Sequence, residues 1–298
     1  MRRAALVAST LFVVALGLQP ATARANSFHV TCASSHVQWD DPIVFPGQPG
    51  RSHRHEFFGA TSADASSTTR SLTRSRTTCA DQGDTASYWA PSIEVDRRWH
   101  RGELVAYYQR AGKDRAAALP IGLRMIAGSM RATQPQPMSV TSFQCRGVAR
   151  GVRSSRQSRT VPACRRGQLL SGWVRFPDCW DGRHLDSADH RSHMAYASGG
   201  ACPSTHPVAV MKLVVRITWR TRPTAGSTVT FGGGMVPSTG FHADFWNAWH
   251  RPVLQQLRWD CIEVARPCGA IGARRWRAHG RPPVHESQAT AMPTNMQM

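Results

Sequence analysis

Leu213-Val-Val-Arg-Ile-Thr-Trp-Arg-Thr221 places apolar residues at 213, 215, 217 and 219, with Val214, Arg216 and Thr218 between them and Arg220 after them. That two-residue period belongs to a strand with one face on a core. Comparable short runs lie on both sides. They are YWAPSIEV (Tyr88–Val95), ELVAYYQ (Glu103–Gln109), LPIGLRMIA (Leu119–Ala127), LLSGWVRF (Leu169–Phe176) and TVTF (Thr228–Phe231). Each is rich in β-branched or aromatic residues and bounded by Gly or Pro. PIVF (Pro42–Phe45) reads as one more short strand, and residues 60–87, dominated by Ser, Thr and Asp, read as a long loop. Helical periodicity is confined to PVLQQLRWDCIE (Pro252–Glu263), with Pro252 in its first turn, where a missing N–H does no harm. Many short strands and few short helices predict a mainly β, single-domain architecture of the β-sandwich or jelly-roll kind.

The ends of the chain set its compartment. Arg2 and Arg3 precede an apolar run, Ala4–Leu18, and Ala23-Arg24-Ala25 offers a small-x-small cleavage site. This is the plan of a secretory signal peptide, and the run is shorter than the roughly 20 residues a membrane span needs. The expected organisation is a leader (1–25), a β-rich domain (26–269), and a disordered basic and polar tail (270–298). The mature chain is expected outside the cytoplasm, with no membrane span.

Eight cysteines follow the leader. An exported chain meets an oxidising environment, so an even number points to a disulfide framework. Eight cysteines allow about 105 pairings; the simplest joins neighbours, Cys32 with Cys79, Cys145 with Cys164, Cys179 with Cys202, and Cys261 with Cys268. No C-x-x-C spacing suggests a zinc knuckle.

The formal charge of +19 falls to +16 when Arg2, Arg3 and Arg24 leave with the leader, and Lys113 and Lys212 are the only lysines. Such a surface attracts anions, including acidic glycans and wall polymers. No nucleic-acid motif accompanies it, so nucleic acid is not an expected partner. Arg146–Thr160 carries five arginines and reads as a solvated, disordered loop.

Three clusters carry the candidate chemistry. In Ser52-His-Arg-His-Glu-Phe-Phe-Gly59, His53 and His55 share a face if extended. Between Cys179 and Met194 lie Trp180, Asp181, Asp186, Asp189, His190, Arg191 and His193. In Phe241-His-Ala-Asp-Phe-Trp-Asn-Ala-Trp249, His242 and Asp244 share a face if extended. The bland alternatives are a core or surface His pair, Asp residues that bond their own backbone turns, and core aromatics.

These segments also resemble one family. DPIVFPG with SHRHEFFG, TTCADQGDTASYWAPS, GLRMIAGS, CWDGRHLDSADHRSHMAY with CPSTHPV, and HADFWNAW followed by LQQL and Cys261 are similar to the exported proteins grouped as domain of unknown function nineteen ninety-six. The likeness runs from about Asp41 to Cys261. The family pattern usually has Asn at the position of Ala60 and Gly at that of Ala248. The resemblance implies an exported single fold, in a family of fungi and bacteria sometimes joined to carbohydrate-binding, wall-associated modules. It implies no reaction.

The primary expectation is a hydrolase or lyase acting on extracellular or cell-wall polysaccharide. His53, His55, Asp186, Asp189, His190, His193, His242 and Asp244 would carry the chemistry, and Arg54, Trp180, Asp181, Arg191, Asn247 and Trp249 would hold substrate. No G-x-S-x-G, H-E-x-x-H or P-loop occurs. The second expectation is a non-catalytic module binding glycan or wall polymer through Trp180, Trp246 and Trp249, favoured if those indoles are exposed. The third is a divalent metal held by His53, His55, His193 and His242.

Overall fold

The structure, a computed structural model, describes residues 26–110, 112, 116–264, 266 and 268–272. The expected leader and residues 273–298 of the expected tail lie outside them. In chain order the strands are β1 (Ser27–Gln38), β2 (His55–Gly59), β3 (Ser87–Pro91), β4 (Ile93–Val95), β5 (Arg98–His100), β6 (Gly102–Gln109), β7 (Arg124–Gly128), β8 (Thr141–Gly147) and β9 (Gln168–Arg175). They continue as β10 (Cys179–Trp180), β11 (Met194–Ala195), β12 (Val208–Ala209), β13 (Lys212–Trp219), β14 (Val229–Phe231), β15 (Val236–Pro237), β16 (His242–Trp246) and β17 (Gly269–Ala270). Among the described residues there are also two α-helices, α1 (Thr69–Thr73) and α2 (Arg251–Leu257), and a 3-10 turn over Ser238–Gly240; α2 runs on as a π-helical turn over Arg258–Glu263.

The protein is mainly β, built on one curled antiparallel sheet in the order β7-β16-β3-β2-β1-β6-β13-β9-β8. β1 makes the corner. Its first half pairs with β6, its second half with β2, and the register slips between Ser34 and His36. Such a bulge bends a strand and lets it pass from one layer to another. The far ends come together as well, because β7 packs against β9. Inward residues line up in rows, Phe28 with Tyr108 and Leu213, Val30 with Ala106 and Val215, and Cys32 with Leu104 and Ile217. All of these are buried. Each large apolar side chain so buried contributes about 1.5–3 kcal/mol relative to exposure. The alternation in Leu213–Trp219 therefore describes β13, a central strand.

The disulfides join Cys32 to Cys79, Cys145 to Cys164, Cys179 to Cys202 and Cys261 to Cys268, the pairing of sequence neighbours. No described helix is long and apolar enough to cross a membrane.

Three local expectations are corrected. Pro42–Phe45 is a turn, because the Asp41 carboxylate accepts the N–H groups of Ile43 and Val44, both at 3.0 Å. Arg146–Thr160 is not a free loop. Ser158 exchanges both backbone hydrogen bonds with Phe143, and Gln157 Oε1 accepts from Arg175 at 2.7 Å and from Ser142 at 3.0 Å. The segment thus covers the edge of β8 through its Ser and Gln residues, which the arginine content obscured. Third, residues 270–272 at the start of the expected tail are placed, with β17 parallel to β1 and Ile271 buried.

The outer face of the first layer positions the site. Along β2, β3 and β16, side chains alternate between the main core (Phe58, Tyr88, Ala90, Ala243, Phe245) and the opposite face (His55, Phe57, Trp89, His242, Asp244, Trp246). A second, smaller core covers that opposite face, where Ile43, Ala60, Ala63 and Leu72 meet Phe57, Trp89 and Trp246.

Candidate functional site

Beside this smaller core the same face turns polar. His55 pairs across the sheet with Pro91, and Asp244 with Trp89, so His242 falls level with Pro91. His55 and His242 thus face one another over a single intervening strand. His53 joins them from the chain entering β2. The ring centroids lie 4.1 Å apart for His53–His55, 5.1 Å for His53–His242 and 5.9 Å for His55–His242. One ring nitrogen from each of the three falls within 4.8 Å of the others, and so do ligand atoms of Asp41, His55 and Asp244. Exposure is 5% for His53, 0% for His55, 4% for His242 and 1% for Asp244.

Two tautomers are fixed by backbone carbonyls. His55 Nδ1 donates to Asp40 O and His242 Nδ1 to Gly240 O, both at 2.8 Å. Each Nε2 therefore keeps its lone pair, the arrangement that orients metal-binding imidazoles. His55 Nε2, His53 Nε2 and both carboxylate oxygens of Asp244 are buried without a hydrogen-bond partner; His242 Nε2 stands 4.0 Å from Asp244 Oδ2. A cluster of buried, unpartnered polar atoms is costly unless something satisfies it.

Burial also sets the electrostatics. It lowers His53 to about 4. Burial and then the neighbouring His53 lower His242 to about 3. His55 lies well below the ordinary value, from burial and then from His53 and His242. Asp244 is pushed well above the usual carboxylate range by burial and then by Asp41, with Arg191 opposing. Asp41 is raised by burial, against the N–H groups of Val44 and Ile43 and against His190. At neutral pH the pocket holds three neutral imidazoles and carboxylates short of positive charge, a donor set suited to a divalent transition metal. Hard cations such as calcium prefer oxygen ligands. The atoms nearest one another lie within 4.8 Å and would need to close to roughly 3.3 Å for Zn–N bonds near 2.0–2.1 Å.

The Cys179–Cys202 loop lies along β7, the edge strand beside β16. Arg191 donates to Ile126 O at 3.2 Å and Gly128 O at 2.7 Å, directly across the ladder from Asp244 and His242. His190 stands at φ +57°, a conformation L side chains rarely adopt. Its Nδ1 is bonded to Asp186 Oδ1 at 2.9 Å, while Asp186 Oδ2 accepts from Arg124 at 2.9 Å. Asp186 and His190 form an oriented carboxylate–imidazole pair on this loop, with His190 near enough to Asp41 to act on its carboxyl group.

Several expected site residues have other work. His193 is hydrogen-bonded at both nitrogens, to Ser187 Oγ (2.9 Å) and Arg124 O (2.7 Å), so it anchors the loop and does not join the three gathered imidazoles. Asp189 accepts from Ser187 Oγ and from the N–H groups of Arg191 and Ser192, which makes it a turn former. Asp181 caps Arg183 and His184 N–H and pairs with His184 Nδ1 at 2.6 Å. The buried Asn247 amide donates to Leu119 O and Pro120 O. Trp249, also buried, donates to Tyr108 Oη at 2.8 Å, and Trp246 to Thr69 Oγ1 at 3.0 Å. Trp180 donates to His184 O at 2.6 Å. Arg54 stacks on Trp99, its guanidinium 3.8 Å from the ring centroid.

Sequence reasoning missed Asp40 and Asp41. Asp40 offers the carbonyl that fixes His55, and its carboxylate accepts from Gly50 and Ala65 N–H. The only local signal was a pair of acids immediately before Pro42. Their distance from His242 in sequence hid the rest.

Comparison with known proteins adds one finding. A family model described as Domain of unknown function (DUF1996) matches residues 41–249. No curated protein and no solved structure matches. The matched span takes in well over half of the 298 residues and reaches from Asp41 through His53 and His55 to His242 and Asp244, so the chain belongs to the family of domain of unknown function DUF1996.

Proposed function

We propose that this chain is an exported, metal-dependent enzyme of the hydrolase or lyase type, with a mononuclear divalent transition-metal centre. His53, His55 and His242 are its nitrogen ligands, and Asp244 is the charge-balancing carboxylate. The observation that carries the reading is the set of buried, unpartnered atoms (His53 Nε2, His55 Nε2 and both Asp244 oxygens) gathered around imidazoles whose tautomers the backbone fixes. A cation on the three imidazoles would partner the His53 and His55 nitrogens, with the Asp244 carboxylate beside it balancing its charge. Bound there, a metal supplies Lewis-acid polarisation of a substrate oxygen or a water. Asp186 and His190 on the Cys179–Cys202 loop supply proton transfer, with Asp186 holding His190 Nδ1–H so that Nε2 carries the lone pair. Four disulfides and the leader-like start support export. A purely adhesive role through Trp180, Trp246 and Trp249 loses support because Trp246 and Trp249 are buried and the part-buried Trp180 spends its N–H on His184 O.

Elemental analysis of purified protein, with thermal melts after chelation and zinc addition, tests the centre. About one zinc per chain is expected, with a raised melting temperature. His55→Ala and Asp244→Asn should lose it, whereas His193→Ala should keep it. Sub-stoichiometric metal after loading, with no thermal shift, would remove the proposal.

A further inference from the structure

The side of the centre reached through His53 carries two exposed indoles that the chemistry above does not use. Trp39 is 44% exposed and Trp99 is 41% exposed. Both are linked to His53 through its neighbours, Trp39 by way of the glycine turn Gly232–Gly234 and Trp99 by way of Arg54. The Gly232-Gly233-Gly234 turn runs between His53 and Trp39. A Cβ on Gly232 would stand 2.7 Å from His53 Cδ2, and one on Gly233 would stand 2.6 Å from Trp39 Cη2. Both glycines also sit at positive φ, +64° and +72°, so only glycine lets the backbone pass between the two rings. On the other flank Arg54, the residue after His53, lies over one face of Trp99, and Arg101 approaches the same ring at 5.9 Å. Arg54 is held at both ends of its backbone, its N–H on Gly232 O and its carbonyl on Ser92 N–H. Glu94 pairs with Trp99 across β4 and β5, and its carboxylate reaches toward Gly234.

The result is a row of Trp39, the glycine turn, His53, Arg54 and Trp99, in which flat apolar faces alternate with charged hydrogen-bonding groups. Protein interfaces bury a contiguous apolar centre depleted of charge, and this row has none. Single-stranded nucleic acid would use stacking platforms in a uniformly basic groove, and Glu94 interrupts one here. A pyranose ring carries an apolar C–H face and a rim of hydroxyls, and that pattern matches the row: ring faces on indoles, with their electron-rich face toward C–H, and hydroxyls on Arg54, Arg101 and Glu94.

We propose that Trp39 and Trp99, with Arg54 and Glu94, form a saccharide-binding subsite beside the metal centre, so that the polymer taken by the enzyme is a glycan. This rests on the metal-centre reading for its placement next to a reacting group. The test is binding of the zinc-loaded full chain to soluble β-glucan, xylan, chitin hexamer and oligogalacturonate, with a single-stranded oligonucleotide as the competing class. Trp39→Ala and Trp99→Ala are measured in parallel. Retention of at least one glycan, weakened about tenfold or more by either substitution, with zinc content and melting temperature unchanged, is the expected result. The neutral and uronate arms separate hydroxyl recognition from carboxylate recognition by Arg54. Stoichiometric zinc with no glycan retention, or retention indifferent to both substitutions, overturns the subsite and leaves the metal centre standing. Preference for the oligonucleotide also overturns it. Tryptophan-dependent glycan retention without zinc would keep the subsite and reject the metal centre.

Discussion

Acidifying metal-free protein, and comparing it with its His53→Gln variant, tests the electrostatics of the site directly. Burial lowers the His53 imidazole from 6.5 to about 4. Between those values the unfolded chain binds a proton that the folded chain refuses, so the folded state loses stability as pH falls. The contribution is fully in place above pH 6.5 and gone by about pH 4. At about 1.36 kcal/mol per pKa unit the loss from this one ring is about 3 kcal/mol, or roughly 10 °C in melting temperature for a domain of this size. His55 and His242 act with the same sign, whereas Asp244 and Asp41, held above the usual carboxylate range, act with the opposite one. The difference between wild type and variant isolates the His53 ring together with its repulsion of His55 and His242, which acts in the same direction. Urea unfolding at pH 7 and pH 4 should therefore show the gap shifting by about 3 kcal/mol in favour of Gln as pH falls. Parallel acid curves, or a His53 ring titrating near 6.5 by NMR, would refute the claim that this imidazole is buried and neutral.

Two further outcomes follow from the packing. Gly232→Ala drives a methyl against His53 and forces a positive φ on an L side chain; it should cost about 1–3 kcal/mol and weaken zinc binding in isothermal titration, and undiminished affinity would count against the wedge. Replacing Cys179 and Cys202 by Ser opens a loop of 23 residues and should cost about 3 kcal/mol in urea melts. Limited proteolysis should then cut within the loop while zinc content stays near one per chain, since no nitrogen ligand comes from it; zinc loss would show that the loop builds the centre.

What the sequence determined by itself was whatever depends on neighbours along the chain. Alternation in Leu213–Trp219 fixes which side chains β13 turns inward, because successive side chains point to opposite faces. The same rule put His53 with His55 and His242 with Asp244. Tertiary structure alone decided which pairs meet. His242 reaches His55 only because β3 lies between β2 and β16 in this register, and a one-residue slip in either ladder would send one imidazole to the opposite face. His193, similar in local sequence to the other candidates, stays apart from them because Arg124 O and Ser187 Oγ hold both its nitrogens. A partner such as Arg124, 69 residues from His193 along the chain, leaves no periodic trace in the sequence.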